Sequence, residues 1–122
     1  MNIRSLVALA SIAAVLAGCS FQNKYEAEAQ KITDAVIHND MSPVKNDLAP
    51  GINLTRVQVA NWSDELNGYG KLQSIKEEKT CNRPGYHCLT AKFEKATVDE
   101  WLLMDDKDKV ANWHFHAAAS PG

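Results

Sequence analysis

The chain has 122 residues, with 13 lysines and arginines against 15 aspartates and glutamates, for a formal net charge of −2. That length holds one small domain with a modest hydrophobic core. The faintly acidic balance, without any basic cluster, argues against nucleic acid as a partner.

The first residues, Met1-Asn2-Ile3-Arg4, form a short head with one positive charge, and from Leu6 to Ala17 only Ser11 is polar. These 12 residues fall short of the roughly 20 that a permanent membrane-spanning helix needs. A basic head on a short apolar core reads as a secretory signal. The core ends in Leu16-Ala17-Gly18-Cys19, which resembles the lipobox of bacterial lipoprotein precursors. The resemblance implies that residues 1–18 are removed, that the Cys19 thiol takes up diacylglycerol, and that Cys19 becomes the mature N terminus. An ordinary signal peptide with an incidental cysteine is the competing reading, and it leaves the match of head, core length, box and position unexplained. Several acyl chains at one site anchor stably where one binds only marginally, so the membrane is the first expected partner. By the same resemblance Ser20, which is not an aspartate, implies an envelope location on the outer membrane, facing the periplasm.

Without the signal, 104 residues remain, carrying 12 basic and 15 acidic side chains and no polybasic segment beside the anchor. Attraction to lipid headgroups is therefore not part of the expected attachment. Residues 19–23 form a tether too short for a stalk, residues 24–116 the domain, and residues 117–122 a frayed tail.

A first helix is expected from about Asn23 to Asn39, with Tyr25, Ala29, Ile32 and Val36 as its apolar stripe. Lys24, Glu26, Glu28, Gln30, Lys31 and Asp34 are expected on its other faces. Ser42-Pro43 starts a short second helix, with the serine as cap, ending by Pro50-Gly51. Thr55 and Gln58 form a capping box for a third helix, Leu54 can staple to Val59, and Val59, Trp62 and Leu66 define its buried face. Asn67-Gly68-Tyr69-Gly70 stops it.

The period then changes to that of strands. Lys71–Thr80, rich in lysine and glutamate, reads as an edge strand. Tyr86–Lys95 alternates, with Leu89, Ala91 and Phe93 opposite Thr90, Lys92 and Glu94. Between these strands lie Cys81 and Cys88, flanking a Pro84-Gly85 turn signal. An exported chain with two cysteines left after lipidation most often pairs them, so a disulfide closing a tight hairpin is expected, with a redox couple or metal clip as alternatives. Thr97–Met104 follows, then a turn at Asp105–Lys109 with Asp108 in a left-handed position. The last strand, Val110–His116, sets Ala111, Trp113 and Phe115 opposite Asn112, His114 and His116. Helices first and a meandering antiparallel sheet after define an α+β class, three helices on about four strands.

Ala35-Val36 near the end of the first helix, the Pro43–Leu48 segment and the capped helix with Trp62 come in order. Gly70-Lys71-Leu72-Gln73-Ser74-Ile75, Ala91-Lys92-Phe93-Glu94-Lys95 and Leu103 through Val110 follow. This set resembles small bacterial domains of unknown function in the nuclear-transport-factor-two-like superfamily, over most of residues 24–116. Relatives often carry glycine where this chain has Asp108. The resemblance implies a curved sheet wrapped on helices into a cone. It admits enzymes, including ketosteroid isomerases and dehydratases, as well as binding and dimerising modules, so it does not set function.

An isomerase-type site needs a carboxylate base in an apolar pocket facing an oxyanion donor. Asp34, Tyr69 and Tyr86 are the available types, but Asp34 lies among polar positions and no catalytic pair emerges. His114 and His116 share one strand face, yet zinc normally takes three or four ligands and His38 and His87 come from distant segments. No metal or cofactor is expected. Trp62, Phe93, Trp101, Trp113 and Phe115 can line the mouth of a cone, the place to expect a small apolar ligand, between the third helix and the last two strands. The outward sheet face, with Thr90, Lys92, Asn112, His114 and His116, is polar and suits a weak homodimer. The expectation is a non-enzymatic envelope lipoprotein that binds a small apolar ligand or an envelope protein. The alternative is a small isomerase or lyase using the cone.

Overall fold

The computed structural model describes residues 22–118. The residues read as a signal and lipobox, Cys19 included, and residues 119–122 lie outside the described residues. Among the described residues, no helix is long and apolar enough to cross a membrane. The fold is α+β: helix α1 (Lys24–Ile37), a 3-10 helix (Ser42–Asp47), helix α2 (Arg56–Gly68), then strands β1 (Leu72–Glu77), β2 (His87–Phe93), β3 (Thr97–Met104) and β4 (Val110–Ala117).

Helix α1 starts at a full capping box. The Asn23 side chain accepts from the Glu26 N–H at 2.8 Å, and Glu26 returns to the Asn23 N–H at 3.0 Å. Asn23, expected in the tether, is thus the N-cap of the helix. Ala29, Ile32 and Val36 are fully buried as the stripe requires. Three further residues, Glu26, Thr33 and Ala35, are buried with them, so the buried face is wider than the stripe.

The expected second helix is a 3-10 segment, with Met41 and not Ser42 in the cap position and no side-chain cap bond. Asp40 instead takes the Ser42 N–H at 3.0 Å. The segment is held short from both ends. Pro43 has no N–H to give, and Leu48 already pairs with Val110, with the Ala49 N–H donating to the Val110 carbonyl at 2.9 Å. Helix α2 begins at the expected Thr55–Gln58 box and buries Val59, Ser63 and Leu66.

The four strands pair antiparallel in the order β1-β2-β3-β4, so β1 is an edge, as its charge pattern implies, and β4 is the other. Leu89, Ala91 and Phe93 of β2, Val98, Glu100 and Leu102 of β3, and Trp113 of β4 are buried toward the helices. A register shift between Leu103 and Met104 leaves Ala111 in the irregularity, and both Val110 and Trp113 are buried beside it. Strand β4 runs through Ala117, and the Ala118 N–H donates to the Thr97 carbonyl at 2.9 Å. These two residues therefore belong to the sheet, not to a tail. Asp108 does adopt the left-handed conformation, φ 59°. Asp105 supports that turn by accepting from the N–H groups of Lys107 and Lys109, both at 2.9 Å.

Candidate functional site

Glu100 brings a carboxyl group into the interior of the domain. It stands on β3, on the helix-facing side of the sheet, and is 1% exposed. The Trp113 indole N–H donates to its Oε1 at 3.1 Å, and Thr33 Oγ1 on α1 lies 2.7 Å from its Oε2. Burial pushes its pKa up to about 7, against the pull of the Thr33 and Trp113 hydrogen bonds and with Asp34 adding to the rise. The signal was present in the sequence: Glu100 occupies an inward position of the Val98–Leu102 alternation, where a charge calls for explanation.

The five aromatic candidates do not form one wall. Trp62, Trp113 and Phe115 meet, with ring centroids 5.6 to 5.9 Å apart. Trp113 is 1% exposed and plugs the inner face. Phe93 lies elsewhere, against Tyr69 at 6.0 Å. Trp101 is on the outer face, stacked on His114 at 4.5 Å with His116 beyond it at 6.3 Å. The physical reason is register: Trp101 faces Cys88 and His114 across the strands, and those positions alternate away from the helices. Where a pocket was expected, the inner face is packed with side chains.

The Cys81–Cys88 disulfide is present, with Cα atoms 5.3 Å apart. Cys81 lies before β2, so the bond closes a loop that folds over the outer face. Arg83 sits 4.5 Å above the Trp101 ring, and the Tyr86 hydroxyl accepts from the Asn112 amide at 2.8 Å. Burial pushes the His114 pKa down, with Arg83 and His116 adding to the effect.

At the N-terminal end of α1, Glu26 joins helix to sheet. Its Oε2 accepts from the Glu77 N–H at 2.8 Å, and it is 7% exposed, not outward as the periodicity implies. Burial works against its charged form, but the backbone donors of Glu77 and Asn23 prevail and hold its pKa below the usual carboxylate range. Glu77 also accepts from the Asn23 amide at 2.9 Å and pairs with His87 at 2.7 Å, and the His87 ring stacks on Tyr25 at 3.6 Å.

Open space lies along the helices. One groove of about 730 Å³ runs between residues 39–48 and the first half of α2. Met41, Leu48, Leu54 and Val59 supply its apolar wall, Lys45 and Arg56 its cations, and Asp40 a carboxylate. Among the described residues neither cation forms an ion pair. A smaller space of about 380 Å³ holds Asp34 and His38; burial raises the Asp34 pKa above its ordinary value against the opposing pull of His38. Tyr69 donates to Glu65 at 2.6 Å, and Tyr86 lies on the far face of the sheet, so the candidate acid–base residues do not converge. Among the described residues, no three His, Cys, Asp or Glu side chains are placed to hold a metal ion. Compared with family models, curated proteins and solved structures, the chain matches none of them.

Proposed function

We propose that the chain is a cell-envelope lipoprotein, held on the outer membrane by lipid on Cys19, whose domain is a non-catalytic binding module of the nuclear-transport-factor-two-like type. The ligand class is a small amphiphile with an apolar body and an acidic end. One observation carries the reading: the open groove pairs the apolar wall of Met41, Leu48, Leu54 and Val59 with Lys45 and Arg56. Its volume falls in the range of small-ligand sites; the acidic residue of the lining, Asp40, accepts from the Ser42 N–H, and a ligand carboxylate would supply an ion-pair partner for Lys45 and Arg56.

Glu100 favours the second reading, a small isomerase or lyase, because a carboxyl group shifted to about 7 is a suitable acid or base. Against it, the inner face is filled by Trp113, and the residues lining the two grooves do not include Glu100. A weak homodimer through the outer face would have to accommodate the loop that lies over Trp101.

Calorimetric titration of the unlipidated mature chain with a medium-chain fatty acid and with the alcohol of the same tail tests the ligand class. The acid binds more tightly, and the double substitution Lys45→Ala, Arg56→Ala abolishes the difference. Absence of binding by both ligands refutes the groove as the site. Labelling with radioactive fatty acid tests the anchor separately: label incorporated by the natural chain is lost in Cys19→Ser.

A further inference from the structure

We infer that Glu100 stays a neutral carboxylic acid in the folded protein through the mildly acidic range in which an ordinary glutamate is ionised, donating a hydrogen bond to Thr33 and closing a proton-dependent latch between α1 and the sheet. The number of hydrogens available between these oxygens decides the protonation state. Thr33 Oγ1 lies 2.7 Å from the Ala29 carbonyl oxygen and 2.7 Å from Glu100 Oε2. Both separations are hydrogen-bond lengths for an O–H donor, so each needs a proton between its two oxygens. The threonine hydroxyl has one proton, the carbonyl none, and an ionised carboxylate none. With Glu100 ionised, one of the two contacts sets bare oxygens against each other in an interior where Thr33 is 0% and Glu100 1% exposed. With Glu100 protonated, the chain closes without remainder. Trp113 N–H donates to Oε1, the acid O–H donates to Thr33, and the Thr33 O–H donates to Ala29.

The surroundings agree. Helix α1 contributes Thr33 and Asp34 to this site, β2 places Leu89 across from Glu100, β4 places Phe115 across from it and Trp113 beside it, and α2 sets Trp62 against the Trp113 ring. Asp34 is the charged group among them, and a neighbouring anion opposes ionisation. Burial pushes the Glu100 pKa in the same direction, up to about 7.

The direction of the pH effect follows. The folded protein keeps a proton that the unfolded chain gives up in the ordinary carboxylate range, so this group's stabilisation is complete below that range. It is lost as pH rises to about 7 and changes no further above it. Over that window the folding equilibrium constant should fall roughly 100- to 1,000-fold on account of Glu100 alone.

Urea unfolding of the mature chain from pH 4.5 to pH 8, compared with Glu100→Gln, tests this. The glutamine amide can donate to Thr33 at every pH, so the variant should lack that 100- to 1,000-fold part of the pH dependence. A variant whose pH dependence matches the natural chain overturns the proposal. Should the variant not fold, carbon-13 titration of the glutamate carboxyls in a Glu28→Gln background decides, because that change removes the other glutamate raised to about 7. One carboxyl titrating near 7 supports the latch, and none above the ordinary range overturns it.

Discussion

The guanidinium of Arg83 lies 4.5 Å above the centroid of the Trp101 ring. That contact defines what the Cys81–Cys88 disulfide does. The bond does more than pin the register of β1 against β2, because it holds an exposed loop down on the outer face, where Arg83 and Tyr86 reach β3 and β4. Replacing both cysteines with serine should cost about 2 kcal/mol on the chain-entropy estimate, with roughly 0.5–1 kcal/mol more if the Arg83 contact is lost with it. Urea unfolding gives the stability, and tryptophan fluorescence should report the uncovering of Trp101. Intact mass before and after reduction should differ by two hydrogens, and equal masses would contradict the pairing.

Glu26 should give the opposite pH dependence to Glu100. Its pKa is lowered by the Glu77 and Asn23 N–H groups despite burial. The stability it contributes is therefore present above the ordinary carboxylate pKa and lost as pH falls through the depressed one. Glu26→Ala removes the capping box and leaves the Glu77 N–H without its acceptor, a loss of about 2 kcal/mol at neutral pH. Acid unfolding of this variant should begin from a lower plateau and show a shallower pH slope than the natural chain.

Gly70 has φ 86°, and a Cβ there would stand 2.9 Å from the Glu94 Cβ and 2.8 Å from its Oε1. Glu94 cannot swing aside freely, because it accepts from the Lys71 N–H at 2.7 Å. Gly70→Ala should therefore destabilise by about 2 kcal/mol, combining the left-handed backbone with the clash. Denaturant midpoints will show it, and a change within error would mean that the turn relaxes.

Trp113→Phe keeps most of the ring that fills the inner face but removes the N–H that meets Glu100 at 3.1 Å. The loss should be about 1–2 kcal/mol, against about 3–5 kcal/mol for Trp113→Ala, which also opens a cavity. If the alanine variant gains affinity for small apolar ligands in calorimetry, the filled inner face is what excludes them.

Much of this fold was legible in the sequence by itself. The Thr55–Gln58 box, the Ala29-Ile32-Val36 stripe, the alternation of β2 and the Asp108 turn all depend on neighbours within a few positions. Hydrogen bonding and side-chain period therefore express them locally. Tertiary structure alone decided the rest. Glu26 looks like a surface carboxylate until a strand 51 residues away supplies the Glu77 N–H, and Glu100, inward by its alternation, has no visible partner until a helix 67 residues away supplies Thr33. Trp101 and Trp113 are chemically alike, and only the pairing register sends one outward beneath Arg83 and the other into the core. Which polar groups are desolvated, and what they meet there, depends on contacts distant in the chain, and local periodicity carries no information about them.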